Sequence, residues 1–91
     1  MTEDGLAHRR KRLLFQSRRR GTKESDLILG GFARAWLDRL DEAQLDRFDS
    51  LLEQSDPDLL TWITGVKPPP PAHDHDVMRL IKDFKNTISR H

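Results

Sequence analysis

The chain predicts an all-α fold, a small bundle of about five short helices, on the strength of three observations. Apolar residues recur at helical spacing in several separate stretches, residues that start helices precede them, and no stretch alternates apolar with polar residues as a half-buried strand would. Its 91 residues make one domain, 1–91, whose surface-to-volume ratio leaves little interior beyond a core. A partner surface is therefore expected rather than a deep substrate cavity.

Residues 5–19 hold good helix formers with no proline and no glycine after Gly5, so they read as the first helix. Its apolar members, Leu6, Leu13, Leu14 and Phe15, are too few and too clustered for a wide stripe, so it is expected to dock by one end. Arg9, Arg10, Lys11 and Arg12 then form a solvated face. After a corner at Gly21, Thr22 or Ser25 can cap a second helix, with Glu24 and Asp26 in the first turn, where the helix dipole favours acids. Leu29, Phe32 or Ala33, Trp36 and Leu40 follow at helical spacing, widened by Ile28 and Leu37, which makes this the central core helix. Gly30-Gly31 interrupts it. Each glycine costs about 1 kcal/mol of helix propensity against alanine, so the pair needs a packing reason such as the close crossing of another helix.

Asp41 and Gln44 have the spacing of a capping box that opens a third helix through about Gln54, with Leu45, Phe48, Leu51 and Leu52 inward. Asp56-Pro57 reads as an N-cap followed by a first-turn proline, and Gly65 followed by Pro68 closes the fourth helix. Leu59, Leu60, Ile63 and Val66 are expected to bury there, with Trp62 at the edge. Residues 67–73, with four consecutive prolines, form an extended linker. From Asp74 to about Ser89, Val77, Leu80, Ile81, Phe84 and Ile88 share one face of an amphipathic last helix. The pattern leaves open whether that face folds back on the bundle or meets a partner.

Composition and motifs exclude most chemistry. Without cysteine there are no disulfides, no thiol catalysis and no cysteine-bound zinc, which fits a reducing compartment. No apolar run approaches the roughly 18 to 20 residues of a bilayer crossing, and the N-terminus lacks the apolar core of a signal peptide, so the chain reads as soluble and intracellular. The basic first 20 residues partly fit a transit peptide, but Glu3, Asp4 and the run into a helix favour structure. Gly30-Gly31 lacks the lysine and serine or threonine of a phosphate-binding loop. His73-Asp74-His75-Asp76 offers ligand types, yet consecutive residues rarely converge on one ion and the aspartates stand where a helix begins. No metal and no catalytic residue is expected.

The net charge of +1 conceals a partition: residues 1–23 carry +6, residues 24–65 carry −7 and residues 66–91 carry +2. Such asymmetry either steers a charged partner or lays the basic segment on the protein's own acidic face. The two signs meet at Arg18-Arg19-Arg20-Gly21-Thr22-Lys23-Glu24-Ser25-Asp26. There a glycine, tolerant of positive φ and of close approach, sits between two helical patterns and presents charges outward.

Arg20-Gly21-Thr22-Lys23-Glu24 resembles the RGxxE signature of the succinate dehydrogenase assembly factors, the SdhE-type flavinylation factors. Asp26, Leu27, Leu29, Phe32, Leu45, Phe48, Leu51-Leu52, Asp58-Leu59-Leu60, Trp62 and Gly65 follow that family's order from about residue 9 to 70. The resemblance implies a helical, non-enzymatic assembly factor that binds the flavoprotein subunit of succinate dehydrogenase, and in some members fumarate reductase. It would promote covalent attachment of FAD to a histidine of that subunit, with no cofactor bound stably by the factor itself. It further implies a free monomer without membrane insertion, in the cytoplasm or, in a eukaryote, the mitochondrial matrix. Carried onto this chain, the partner-binding residues are Arg19, Arg20, Gly21, Glu24, Asp26 and Trp62. Gly21 would allow close backbone approach, the arginines would give charge-assisted hydrogen bonds, and Glu24 would orient an arginine or touch the partner. Capping alone would also account for Glu24 and Asp26. The competing reading is a small basic-helix nucleic-acid-binding regulator, against which stand the ten carboxylates of residues 24–65.

Overall fold

The computed structural model describes residues 2–18 and 21–88, and the described residues contain helices and turns with no strand. Helix α1 spans Thr2–Ser17. Lys23 to Arg39 then form consecutive helical turns: α2 (Lys23–Ser25), a π turn (Asp26–Gly30), α3 (Gly31–Trp36) and a 3-10 turn (Leu37–Arg39). Helices α4 (Glu42–Leu52), α5 (Asp56–Ile63) and α6 (Asp76–Ile88) complete the bundle, with a 3-10 turn at Pro71–His73 before α6. Counting Lys23 to Arg39 as one segment, five helical segments surround one core, as the periodicities predict.

Phe32 stands at the centre of that core. Fully buried, it stacks on Trp36 at 6.0 Å between ring centroids, tilts against Phe48 at 5.6 Å and meets the edge of Phe84 at 6.1 Å. These contacts join α3 to α4 and α6. The glycine pair has the predicted packing reason, and the two glycines face different neighbours. A Cβ on Gly30 would lie 3.2 Å from the Arg18 side chain, just past α1; one on Gly31 would lie 3.0 Å from the Phe84 ring of α6. The interruption takes the form of a π turn, which adds one residue to the helical repeat just before the two contacts.

The capping box is present: Asp41 accepts from the Gln44 N–H at 2.8 Å and Gln44 Oε1 accepts from the Asp41 N–H at 3.0 Å. Gln44 does more than the box requires, since its Nε2 donates to Asp76 Oδ2 at 3.0 Å and so fastens α4 to the start of α6. At the end of α5, Gly65 has φ +83°, and Val66 N–H to Thr61 O (3.0 Å) with Gly65 N–H to Trp62 O (3.3 Å) completes a Schellman turn. Helix α6 folds back on the bundle: it packs against α4, α5 and the π turn and buries Val77, Met78 and Ile81 completely.

Four expectations need correction. Helix α5 is capped by Ser55, whose Oγ accepts from the Asp58 N–H at 3.3 Å, so Asp56 is the first helical residue and not the cap. Val66 lies beyond the left-handed glycine, which turns it outward to 75% exposure. Pro71 begins a 3-10 turn, because its fixed φ suits a helical first position when no N–H is required. The arginines of α1 are not simply solvated. Arg10 donates from Nε to Leu37 O at 2.8 Å and from Nη2 to Leu40 O at 2.9 Å, covering carbonyls left open where the Lys23–Arg39 segment ends.

Candidate functional site

The corner is held by a small polar assembly. Thr22, in extended backbone conformation, caps α2 by accepting from the Ser25 N–H at 3.1 Å, and its carbonyl accepts from the Asp26 N–H at 3.0 Å. Ser25, fully buried, donates to Asp56 Oδ2 at 3.1 Å, and the same oxygen accepts the Gly21 N–H at 2.7 Å. One carboxylate at the start of α5 thus fixes both ends of the turn. Its place in the first turn of α5 also puts the negative charge at the positive end of the helix.

Among the six sequence-predicted residues, Arg19 and Arg20 lie outside the described residues. Gly21 is exposed, and its backbone is not left-handed, since Gly65 alone among the described residues has positive φ. A Cβ at Gly21 would make an ordinary contact of 3.4 Å with Asp56 Oδ2. The expected tolerance of positive φ is therefore unused, and nothing among the described residues requires glycine here. Glu24 is exposed and makes no hydrogen bond or ion pair among the described residues, although it stands in the first turn of α2. Asp26 is half-buried and lines a cleft with Arg18, Leu27, Gly30, Gly31 and Arg34. The corner thus brings Gly21, Glu24 and Asp26 together.

Trp62, the sixth of the predicted residues, lies on α5 rather than in the corner segment. It is half-buried on α5, where its ring stacks on His73 at 5.5 Å and 25°, pinning the proline-rich segment to the bundle. His73 and His75 approach edge to face at 6.3 Å, and burial lowers the His75 pKa below its ordinary value of 6.5. The His75 Nδ1 accepts from the Met78 N–H at 3.2 Å, so it caps α6. Asp76 holds its proton more weakly than usual, chiefly because Gln44 donates to it, with the Val77 N–H and Arg47 adding to the effect. Each member of the His73–Asp76 run thereby has a place in the packing or on the surface, and among the described residues no three His, Cys, Asp or Glu side chains gather to hold an ion.

Sequence reasoning missed Asp56 and Ser25 as the residues that shape the corner. Asp56 looked like an N-cap, and only its distance from Gly21 in space shows otherwise. The basic first helix does lie on the protein's own acidic face: Arg9 pairs with Asp46 and, at 3.6 Å, with Asp49, and Arg12 approaches Asp49 at 3.7 Å. No helix among the described residues is long and apolar enough to cross a membrane.

A family model described as flavinator of succinate dehydrogenase matches residues 11–85, a span that includes the corner, the glycine pair and most of α6. The mitochondrial succinate dehydrogenase assembly factor 2 of Drosophila grimshawi is 45% identical over 85 residues, covering 90% of this chain and 58% of the relative. The proteins of the same name from Drosophila virilis and Culex quinquefasciatus are 42% and 40% identical, each over 93% of this chain and 56% and 55% of the relative. The chain spans a little more than half the length of these relatives. Its family is nonetheless plain from the match over most of its own length: the chain belongs to the flavinators of succinate dehydrogenase, the succinate dehydrogenase assembly factors.

Proposed function

We propose that this chain binds the flavoprotein subunit of succinate dehydrogenase through the Gly21–Asp26 corner and promotes covalent attachment of FAD to a histidine of that subunit. The flavoprotein of fumarate reductase is a second client of the same chemistry. The observation that carries the reading is a glycine that nothing among the described residues requires. Gly21 has ordinary φ, room for a Cβ and an exposed surface, so its bareness serves something that approaches from outside. Asp56 and Ser25 hold that surface rigid, while Glu24 keeps its carboxylate free of partners among the described residues. Arg19 and Arg20, next to Gly21 in the sequence, would bring guanidinium groups suited to carboxylates.

The chain itself supplies no catalytic group in this reading and binds no FAD stably. It acts by positioning: stabilising the arrangement in which flavin and histidine meet lowers the barrier without any acid, base or nucleophile from the factor. The family name supports the partner and the outcome; the rigid corner supports the route. The free chain is a monomer that docks as one surface.

The test is flavin fluorescence of the denatured flavoprotein subunit from cells lacking this chain. The expected result is a loss of covalent flavin, restored by the wild-type chain and not by Gly21→Arg, whose helical circular dichroism is unchanged. Normal covalent flavin in the deletion strain overturns the reading.

A further inference from the structure

We propose that a groove beside the corner seats an acidic segment of the flavoprotein subunit that carries an aromatic or aliphatic anchor, an inference that rests on the partner proposed above. The groove, about 450 Å³, is lined by His8, Lys11, Arg12, Leu14, Phe15 and Arg18. None of these described lining residues is a carboxylate. Phe15 is 57% exposed on its wall, and Leu27 is 64% exposed in the adjoining cleft, which shares Arg18 and adds Arg34 and one carboxylate, Asp26. Two large apolar side chains are thus more than half exposed where the described lining holds Lys11, Arg12, Arg18 and Arg34 against the single carboxylate of Asp26.

The position favours one occupant. Arg18 lines both clefts and is followed within three residues by Gly21, so whatever seats at the corner lies against this groove. The chemistry narrows it further. Apolar anchors in a pocket supply the affinity of such contacts, and surrounding charge of one sign selects the opposite sign in the partner and speeds its arrival. An acidic segment with one buried anchor satisfies both walls. The sequence placed Phe15 among the docking residues of α1, but the helix turns it outward, and Leu13 takes the core position.

The experiment measures binding of the purified flavoprotein subunit, loaded with FAD, to the wild-type chain and to Phe15→Asp, Leu27→Asp, Lys11→Glu and Gly21→Arg. Phe15→Asp and Leu27→Asp are each expected to weaken binding by about tenfold or more, the size of an anchor loss. Lys11→Glu is expected to slow association and flatten its salt dependence. Phe15→Ser, neutral at the same exposed position, gives a smaller loss of the same sign and guards against a folding artefact. If Gly21→Arg abolishes binding while the Phe15 and Leu27 variants bind as wild type, the groove proposal falls and the corner stands. If the wild-type chain does not bind, both fall. If sedimentation shows a wild-type dimer that Phe15→Asp dissociates, the groove belongs to a second copy and the proposal is overturned.

Discussion

Helices α6 and α1 cover the same core with different chemistry. The last helix enters it with Val77, Met78 and Ile81, all fully buried, and lays Phe84 against Phe32 and Gly31. The first helix offers a face of Leu6, Arg10, Leu13 and Ser17, spaced by four, three and four residues, in which two members are polar. Arg10 closes backbone carbonyls, and Ser17, fully buried, donates to Leu14 O at 2.7 Å. Helix α6 is held by area and shape. Helix α1 is held around one deep leucine by directed hydrogen bonds and by ion pairs to α4. The difference teaches that a helical face can be buried with few apolar residues when its polar members meet groups that are otherwise open.

The comparison can be broken most strongly at α6. Ile81→Ala removes a fully buried side chain whose site cannot fully collapse, and is expected to cost about 2–5 kcal/mol of stability by denaturant unfolding. A loss below that of the Arg10 variant would reverse the ranking of the two helices. Arg10→Met keeps the stem and removes both donors, leaving the Leu37 and Leu40 carbonyls open, and is expected to cost about 1–3 kcal/mol in the same measurement. An unchanged midpoint would reduce α1 to apolar docking alone.

The smallest effect is a pH dependence at the start of α6. The His75 pKa is lowered in the folded chain, so between the folded value and the ordinary 6.5 the unfolded chain binds more protons. Stability is therefore full above about 6.5 and declines as the pH falls through that window. The charged groups around it are Asp76, which opposes the shift, and Arg47, His73 and Arg79, which add to it. Asp76, also lowered, holds its contribution until the pH falls below the ordinary 3.8. His75→Asn keeps an acceptor for the Met78 N–H and removes the titration, so its melting temperature should fall less between pH 7 and 5 than that of the wild type. Equal slopes would place the acid sensitivity elsewhere.

Much of the fold was legible because its signals are local. The Asp41–Gln44 box, the inner face Leu45, Phe48, Leu51 and Leu52, and the stripe of α6 each lie within a few turns of one helix. The glycine pair announced a close contact, though not that its two members face α1 and α6 separately. What stayed hidden involves residues whose partners are distant in the chain. Arg10 reads as a solvated charge until the carbonyls of Leu37 and Leu40 are brought beside it. Asp56 reads as a cap until Gly21 arrives, 35 residues away. Ser55, one position earlier, took the cap because a serine in extended backbone reaches the Asp58 N–H equally well. At the candidate site, the sequence supplied Gly21, Glu24 and Asp26 as neighbours, while the reason they hold still lay in Ser25 and Asp56.

The Asp56 carboxylate also ties the corner to a helix that reaches the far side of the chain. One oxygen grips both Gly21 and Ser25, so the corner is joined to the first turn of α5. From there α5 leads through Trp62 to His73 and the entry to α6. One carboxylate and one ring stack thus connect the corner, by way of α5, to the segment that leads into the C-terminal helix.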